Sequence, residues 1–348
     1  MNGQLQVDLA ALVANYQLFC AQNSVPGNSV GGVVKADGYG LGVARVSQAL
    51  YGAGCREFFV ATCEEGVELR GVLADATIYV FEGSTPDNAS RLAAASLIPV
   101  VNHAGQLEAW RPHRQLPIAV HVDTGMARLG FAEDLVAQTV DGFGVVLLLT
   151  HLACADTPEH PFNAEQIHRF DAVRSRFRGV RTSIGNSAGL LLGASFSGDL
   201  GRPGIGLYGG NPFAERANPM NCVATLSAQV LQVREVPAGS ALGYGASYVA
   251  PHDLAVATVG LGYADGLPRV LSNRGAVSVN GERCAIVGRI SMDLTLIDVT
   301  GIEIAAGDWV QIFGAELSVD EVGGLADSFA YELLTGIGRR VERVYLNG

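Results

Sequence analysis

The chain has 348 residues, of which 49% are apolar and 16% are charged, and its formal net charge is −11. This length exceeds what one hydrophobic core usually supports, so we expect two domains, and the composition excludes an intrinsically disordered chain. The acidic charge is spread along the sequence with no basic run, which argues against a nucleic acid as partner.

The cysteines and the amino terminus bear on cellular location. Six cysteines lie far apart with no CxxC pair, which is typical of reduced thiols in a cytosolic protein. The first residues, MNGQLQVDLA, lack the cationic and apolar segments of a signal peptide. No apolar run approaches the ~18 residues of a membrane span. We therefore expect a cytoplasmic protein with no membrane partner.

Short apolar runs recur through the first part of the chain, and segments with helical periodicity separate them. This alternation predicts parallel βαβ units. Eight such units favour an N-terminal (β/α)8 TIM-type barrel over residues 1–217. The runs span residues 31–35, 57–61, 77–83, 97–101, 118–125, 145–153, 181–187 and 200–209.

From residue 218 onward the pattern changes to β-prone pieces separated by Gly and Pro turns. No long helical pattern appears until residues 319–329. This texture predicts a C-terminal, mainly antiparallel β domain over residues 218–348. The Pro- and Asn-rich segment NPFAERANPMN is the expected linker.

Lys35 ends the first predicted barrel strand, in the segment VVKADGYGLG. In barrels of this kind the functional site lies at the carboxyl ends of the strands. A desolvated lysine there suits Schiff-base chemistry with an aldehyde cofactor or a carbonyl substrate. Position alone is equally compatible with a solvated lysine.

Other strand ends also carry polar groups, and their convergence on one rim favours a functional site. The glycine-rich stretch after the eighth strand, together with Ser187 after the seventh, occupies the usual phosphate-binding position of such barrels. No histidine shows metal-ligand spacing, so no metal is expected. The polar residues at this rim are Asp123, Arg128, His151, Asn186, Ser187 and Arg202.

Nine segments resemble motifs of the alanine racemases in order and spacing. The resemblance covers nearly the whole chain and implies a barrel followed by a β domain. It also implies pyridoxal 5'-phosphate (PLP) as cofactor, and a homodimer in which each active site is completed by the partner subunit. The segments are VVKADGYGLG, DTGMARLG, THLACAD, GNSAG, RPGIGLYG, GYGASY, GYADGLPR, GRISMD and YELLT.

The resemblance implies a role for each matching residue around the cofactor. Lys35 would form the Schiff base with PLP. Arg202, held by His151, would face the pyridine nitrogen, keep it unprotonated and so suppress transamination. Arg128 would lie near the phenolic oxygen and the substrate carboxylate. The phosphate would be bound by Tyr39, Ser187, the backbone of Gly204 and Ile205, and Tyr331.

The resemblance further implies that Tyr244 reaches the site from the partner subunit and faces Lys35 across the cofactor. Two bases are needed because inversion at Cα requires one group to remove a proton and another to deliver one from the opposite side. Both Lys and Tyr need a lowered pKa to act as bases near neutrality. Met292 would contact the substrate beside Asp293, and an access corridor would be formed by Asp156, Tyr263, Arg269 and Arg289.

Two departures from the common family pattern stand out. Ala127 replaces a frequent glycine. At residue 121 some members have a carbamylated lysine whose negative charge orients the arginine of the next loop, and His121 cannot carry that group. Arg128 must therefore be positioned otherwise, by chloride, water or a neighbouring side chain.

Several interpretations remain open. The enzyme could be a broader amino-acid racemase that accepts serine, although the bulk of Tyr331 favours alanine. A decarboxylase of similar architecture typically places an acidic residue where Arg202 stands. A PLP-binding protein without catalytic activity, or an aldolase without cofactor, would not need Tyr244. Either supply of D-alanine for peptidoglycan or alanine breakdown would fit the activity.

Overall fold

The computed structural model of the protein describes residues 3–213 and 215–348. It opens with strand β1 (Gly3–Asp8) and helix α1 (Leu9–Gln22), and a parallel barrel follows. The barrel strands are β2 (Ser29–Val30), β3 (Gly32–Val33), β4 (Glu57–Val60), β5 (Thr77–Val80), β6 (Ile98–Val101), β7 (Pro117–His121), β8 (Gly144–Leu149), β9 (Arg181–Ser183) and β10 (Leu200–Gly201).

The barrel closes through its shortest strands. Strands β3 to β9 pair in sequence order, and every pair is parallel. Strand β10 pairs with β2, and the amide of Arg202 donates a hydrogen bond to the carbonyl oxygen of Gly185 just beyond β9. Each of the eight predicted runs contains or overlaps a strand, so the predicted barrel is confirmed.

Helices connect most of the strands. Helix α4 begins at a capping box. The Thr62 hydroxyl accepts a hydrogen bond from the Glu65 amide, and the Glu65 carboxylate accepts one from the Thr62 amide. The barrel-domain helices after α1 are α2 (Lys35–Tyr39), α3 (Val43–Gly52), α4 (Cys63–Val72), α5 (Ala89–Ala94), α6 (Ala104–Trp110), α7 (Val136–Thr139), α8 (Pro161–Arg174) and α9 (Ser187–Leu191).

The second domain is mainly antiparallel, as predicted. Its central strand β11 pairs antiparallel with β14 and with β18. The predicted helical segment 319–329 contains one short helix, α10, and a second short helix, α11, follows the segment. The elements are β11 (Ala224–Val236), β12 (Ala241–Leu242), β13 (Tyr248–Val249), β14 (Leu254–Val259), β15 (Ala276–Val279), β16 (Glu282–Ala285), β17 (Thr295–Asp298), β18 (Trp309–Phe313), α10 (Val319–Leu325), α11 (Ala330–Thr335) and β19 (Glu342–Leu346).

Strand β1 does not belong to the barrel sheet, although residues 1–217 are predicted to form the barrel domain. It pairs antiparallel with β11 and parallel with β19. Its buried residues alternate along the strand, and Leu5 and Val7 enter the core beneath the second sheet. Met1 and Asn2, and Ala214 in the predicted linker, lie outside the described residues.

The two domains share one hydrophobic core. A continuous cluster of buried apolar side chains extends from Phe58 and Trp110 in the barrel to Val259 and Val310 in the second domain. The relative position of the domains is therefore fixed by packing. Within residues 3–213 and 215–348, no helix is long and apolar enough to cross a membrane.

Candidate active site

A cavity of about 540 Å³ opens at the carboxyl ends of the barrel strands. Its ionisable side chains are all basic or phenolic, and no carboxylate from the described residues lines it. Such a lining favours anionic ligands even though the chain is acidic overall. The sequence-predicted residues that line it are Lys35, Tyr39, Arg128, His151, Asn186, Ser187, Arg202, Gly204, Ile205 and Tyr331.

The turn after Lys35 is left-handed. Residues 36–39 have φ angles between 53° and 61°, a conformation that costs residues other than glycine ~1–2 kcal/mol each. Two carboxylates hold it in place. Glu65 accepts a hydrogen bond from the first amide of the turn at 2.7 Å, and Asp37 accepts one from the amide of Val43 at 2.7 Å. The strained turn is thus fixed beside the cavity.

Two glycines let the carboxyl-terminal segment pack onto this turn. Gly40 and Gly42 have φ angles of 82° and 97°. A Cβ atom at Gly40 would lie 2.2 Å from the carbonyl oxygen of Leu334, and one at Gly42 would lie 2.0 Å from the Tyr345 hydroxyl. Both positions therefore require glycine. The second domain is consequently anchored against the lysine turn of its own chain.

The environment of Lys35 lowers the pKa of its amine. Burial is the main cause, the charge of Arg128 adds to it, and Glu65 opposes it. The amine also lies 5.9 Å from the ring centre of Phe81. A larger fraction of Lys35 is therefore unprotonated near neutrality than for a solvated lysine. This was expected from the sequence, whereas the Phe81 wall was not.

Neutral donors gather at the other end of the cavity. The Ser187 hydroxyl accepts hydrogen bonds from the amides of Gly204 at 2.9 Å and Gly206 at 3.2 Å. A Cβ atom at Gly204 would lie 2.3 Å from the Tyr39 hydroxyl. Burial raises the pKa of Tyr39, and burial together with nearby carboxylates raises the pKa of Tyr331 to about 12, so both phenols remain protonated. Hydroxyls and backbone amides that converge beside glycine suit a phosphate group.

Arg202 is 3% exposed and is held by groups from two neighbouring strand ends. Its guanidinium donates to the Ser183 hydroxyl, to the carbonyl oxygen of Thr150 at 2.6 Å and to that of Ile184 at 3.4 Å. Burial lowers its pKa to about 10, so it stays cationic near neutrality. Within the described part of the chain, His151 is not among its hydrogen-bond partners.

His151 lines the same cavity as a neutral side chain. Burial, followed by the charges of Arg202 and Arg128, lowers its pKa well below the usual value. The resemblance implies that His151 holds Arg202, whereas Ser183 and Thr150, which accept its hydrogen bonds here, were not predicted from the sequence. Ser183 ends strand β9 and Thr150 follows strand β8, and this position at a strand end is the sequence signal that could have identified them. Their side chains or carbonyls reach Arg202 only because the strands are neighbours in the barrel.

Five sequence-predicted residues lie on a separate face of the second domain, outside the cavity of their own chain. Tyr244, Met292 and Tyr263 are 70%, 53% and 42% exposed. Backbone hydrogen bonds join the segments of Tyr263 and Met292: the Tyr263 amide donates to the carbonyl oxygen of Ser291, and the Ala264 amide donates to that of Met292. We call this surface the second-domain face; its residues are Tyr244, Tyr263, Arg269, Arg289 and Met292.

Arg289 and Arg269 belong to this face through their neighbours. The Arg289 guanidinium lies 2.9 Å from the position of a Cβ atom at Gly245, next to Tyr244. Ser272 donates to the carbonyl oxygen of Arg269 and accepts from the Ile290 amide. Exposed large apolar side chains that cluster in this way are typical of an interaction surface.

Asp156 lies on the barrel side instead. It follows strand β8, and its charge contributes to the raised pKa of Tyr331. It is therefore near the mouth of its own cavity and apart from the other predicted corridor residues. Asp123 acts inside the next loop, where its carboxylate accepts hydrogen bonds from the amides of Gly125 at 2.9 Å and Ala127 at 3.1 Å.

The fold and the cavity define an enzyme class. A parallel barrel presents a desolvated lysine at one end of a cationic cavity and a phosphate-binding set of donors at the other, and an antiparallel domain packs beside it. This arrangement is that of enzymes that bind a phosphorylated aldehyde cofactor through lysine. The chain matches the alanine racemase N-terminal domain over residues 7–212 and the alanine racemase C-terminal domain over residues 223–345. It therefore belongs to the alanine racemase family.

Full-length relatives agree. The alanine racemase of Rhodospirillum rubrum is 44% identical, over 98% of this chain and 95% of the relative. That of Methylobacterium nodulans is 43% identical, over 99% and 96%. The crystal structure of alanine racemase from Bartonella henselae with covalently bound pyridoxal phosphate has a TM-score of 0.94 and 35% identity, and covers 99% of this chain and 100% of that one.

Proposed function

We propose that this protein interconverts L-alanine and D-alanine with PLP as cofactor. Lys35 exchanges a proton with Cα on one face of the substrate, and Tyr244 of a partner subunit exchanges one on the other. The observation that carries the proposal is Lys35, an amine of lowered pKa at one end of a cavity whose other end offers phosphate-binding donors. Membership of the alanine racemase family supports the same reaction.

The residues present fit PLP. Tyr39, Ser187, the backbone of Gly204 and Ile205, and Tyr331 would bind its phosphate, because they supply protonated donors and the absence of a Cβ at residue 204 leaves room. Arg202 would contact the ring nitrogen. When bound, PLP would supply an aldehyde for the substrate amino group and a conjugated ring that delocalises the electron pair left at Cα.

Lys35 is suited to be one of the two bases. An ordinary lysine has a pKa near 10.4 and is almost fully protonated at neutral pH. Burial and Arg128 lower the pKa of Lys35, so less free energy is needed to obtain the unprotonated amine that accepts the proton. The left-handed turn fixes the backbone from which this amine extends, which preserves its orientation during the transfer.

Arg202 favours return of the proton to Cα over transamination. A buried guanidinium that stays cationic disfavours a second positive charge on the ring nitrogen. Since His151 is neutral, the positive field here comes from Arg202 and Arg128. Tyr244 would approach this field from the partner, and a cationic neighbourhood stabilises a phenolate over a phenol.

The second-domain face supports a homodimer with shared active sites. Its exposed aromatic and methionine side chains are costly to leave in water and would be covered in a two-fold interface. Met292 and the bulk of Tyr331 would then narrow the site around a methyl side chain. Acceptance of serine as a second substrate is the alternative, and relative kcat/KM values for the two amino acids decide between them. We also propose a cytoplasmic location, which the wide spacing of the cysteines favours.

Polarimetry tests the reaction. Purified protein reconstituted with PLP should abolish the optical rotation of L-alanine without release of CO₂ or pyruvate, and Lys35→Ala should abolish this activity. Tyr51→Phe, on helix α3 and outside the cavity lining, should keep full activity, and it is the matched control for the Tyr244→Phe change used below. Release of CO₂ would identify a decarboxylase, and bound PLP without turnover would identify a carrier; either result would contradict the proposal.

Subunit complementation tests the shared site. Lys35→Ala and Tyr244→Phe proteins should each be inactive, but a refolded equimolar mixture should recover roughly a quarter of wild-type activity, because half of the dimers are mixed and each of those has one intact site. If Tyr244 acts within its own chain, the mixture stays inactive.

A further inference from the structure

His121 lies at the end of strand β7 and lines the active-site cavity together with Arg128. It is 9% exposed. One ring nitrogen, Nδ1, lies 2.9 Å from the side-chain oxygen Oδ1 of Asn102 at the end of the neighbouring strand. Which of these two atoms carries the proton decides what the other ring nitrogen can do.

The surroundings of Asn102 answer this question. Its amide nitrogen Nδ2 lies 2.8 Å from the carbonyl oxygen of Val100 and 3.2 Å from that of Phe81. Carbonyl oxygens only accept hydrogen bonds, so the NH₂ group must face them and Oδ1 must face His121. Oδ1 is an acceptor, and Nδ1 of His121 is therefore the donor. In the neutral ring, Nε2 is then left with an unshared electron pair.

The charges around His121 keep the ring neutral. Arg202 and Arg128 disfavour the imidazolium, Asp123 alone favours it, and burial adds the largest penalty. Together these effects lower the pKa of His121 to about 4. His151, which also faces the cavity, is neutral for the same reasons. At physiological pH, Nε2 of His121 is thus a hydrogen-bond acceptor inside a cationic cavity.

The loop that carries Arg128 is anchored at His121. The amide of Phe131 donates to the carbonyl oxygen of His121 at 2.8 Å, and the amide of Asp123 donates back to Phe131 at 3.0 Å. The chain therefore leaves strand β7 at His121 and returns to it ten residues later, at Phe131. Arg128 is carried by the intervening loop and projects into the same cavity.

Arg128 differs from Arg202 in its hydrogen bonding. The Arg202 guanidinium already donates to Ser183, Thr150 and Ile184. Arg128 makes neither a hydrogen bond nor an ion pair with any other residue in the described ranges, 3–213 and 215–348. The two side chains line the same cavity without a hydrogen bond between them in this structure. We propose that in the holoenzyme the guanidinium of Arg128 donates a hydrogen bond to Nε2 of His121, which so positions Arg128 for the substrate carboxylate. His121 is a positioning residue in this scheme, which rests on the proposed function.

This arrangement differs in charge from one that uses a carbamylated lysine. An anionic group beside Arg128 would neutralise part of the charge that attracts the substrate carboxylate. A neutral imidazole orients Arg128 and leaves its full positive charge available. The active site of this chain would thus be more cationic, by one charge, than that of family members with the anion.

Nitrogen NMR of the ¹⁵N-histidine-labelled holoenzyme tests the geometry independently of turnover. At pH 7 the His121 signals, assigned by their loss in His121→Gln, should show a protonated Nδ1 and an unprotonated Nε2. Arg128→Leu should shift the Nε2 resonance toward that of an acceptor without a partner. A protonated Nε2, or an Nε2 signal unaffected by Arg128→Leu, would overturn the proposal even if the racemase activity is established.

Kinetics test the positioning role. His121→Leu should raise the KM for alanine about tenfold, the effect of one hydrogen bond to a charged group, with a smaller change in kcat. His121→Gln keeps an acceptor of similar reach and should stay within about threefold of wild type. Equal impairment of the two variants would indicate a packing role and contradict the proposal. Failure of the proposed function would instead appear as a wild-type enzyme that does not racemise alanine.

Discussion

Acidification should destabilise the folded protein, and His121 should account for a defined part of the loss. The pKa of His121 is about 4 in the folded chain, whereas an unfolded chain has the ordinary value near 6.5. Between these two values the unfolded chain binds a proton that the folded chain does not. Stability is therefore complete above pH 6.5 and falls as the pH is lowered toward 4.

The size of the effect follows from the two pKa values. From pH 7 to pH 5, protonation of residue 121 in the unfolded chain alone costs the folded state about 2 kcal/mol per protomer, and about 3 kcal/mol by pH 4. His121→Gln removes the titrating group while it keeps a polar side chain of similar length. The variant should therefore lose about 2 kcal/mol less than wild type between pH 7 and pH 5. Loss from His151, whose pKa is also lowered, should remain in both proteins.

Urea denaturation of the holoenzyme at pH 7, 6 and 5, at fixed protein and PLP concentrations, measures this difference. His168→Gln is the matched control, because it makes the same change on the exposed side of helix α8. Its pH dependence should match that of wild type. If His121→Gln loses as much stability as wild type on acidification, His121 is not a buried neutral ring, and its Nε2 is not available to accept a hydrogen bond from Arg128.

Three further substitutions have defined outcomes. Gly204→Ala should weaken PLP binding at least tenfold in an absorbance titration, since the new Cβ would lie 2.3 Å from the Tyr39 hydroxyl; Gly71→Ala, with open space around it, should not. Arg202→Glu should increase pyruvate formation from alanine relative to racemisation, and an unchanged ratio would argue against the role of its charge. Ala127→Gly should raise the free energy of unfolding by up to about 1 kcal/mol, measured by urea denaturation, because Ala127 has a φ of 55°.

The barrel could be predicted from the sequence because its strands are buried on both faces. Such strands appear as short continuous apolar runs, and helical segments separate them. Strand β1 could not be assigned in the same way. Its alternating Leu5 and Val7 indicate a strand with one buried face, but not which sheet it joins. Its partners β11 and β19 lie more than 200 residues away in sequence, and no local pattern specifies a pairing of that range.

The site divides along a similar line. Lys35, Ser187 and Arg202 could be predicted because each follows a strand, and the carboxyl ends of barrel strands meet. The residues that hold the active-site side chains and the lysine turn in place were not predicted. Asn102, which orients His121, and Glu65, which holds the lysine turn, act through contacts between neighbouring strands and helices. Only Glu65 had a local signal, the Thr-x-x-Glu capping box, and that motif predicts a helix start without indicating the second role.

The net charge of the chain indicates which partners the protein surface can bind, but it does not predict the charge of the active-site cavity. The value of −11 describes the surface, where water and salt screen charges beyond about 10 Å, and it argues against a polyanionic partner there. Inside the cavity, charges are screened less because the side chains are withdrawn from water. Lys35, Arg128 and Arg202 line the cavity with no carboxylate from the described residues. Burial is the main cause of the lowered pKa values of Lys35 and of both histidines; the charge of Arg128 adds to it for Lys35, and the charges of Arg202 and Arg128 add to it for the histidines. An acidic chain can therefore maintain a cationic site for a phosphate and a carboxylate. Burial, together with the positive charge that attracts these anions, lowers the pKa of Lys35 and so favours the unprotonated amine that acts as a base.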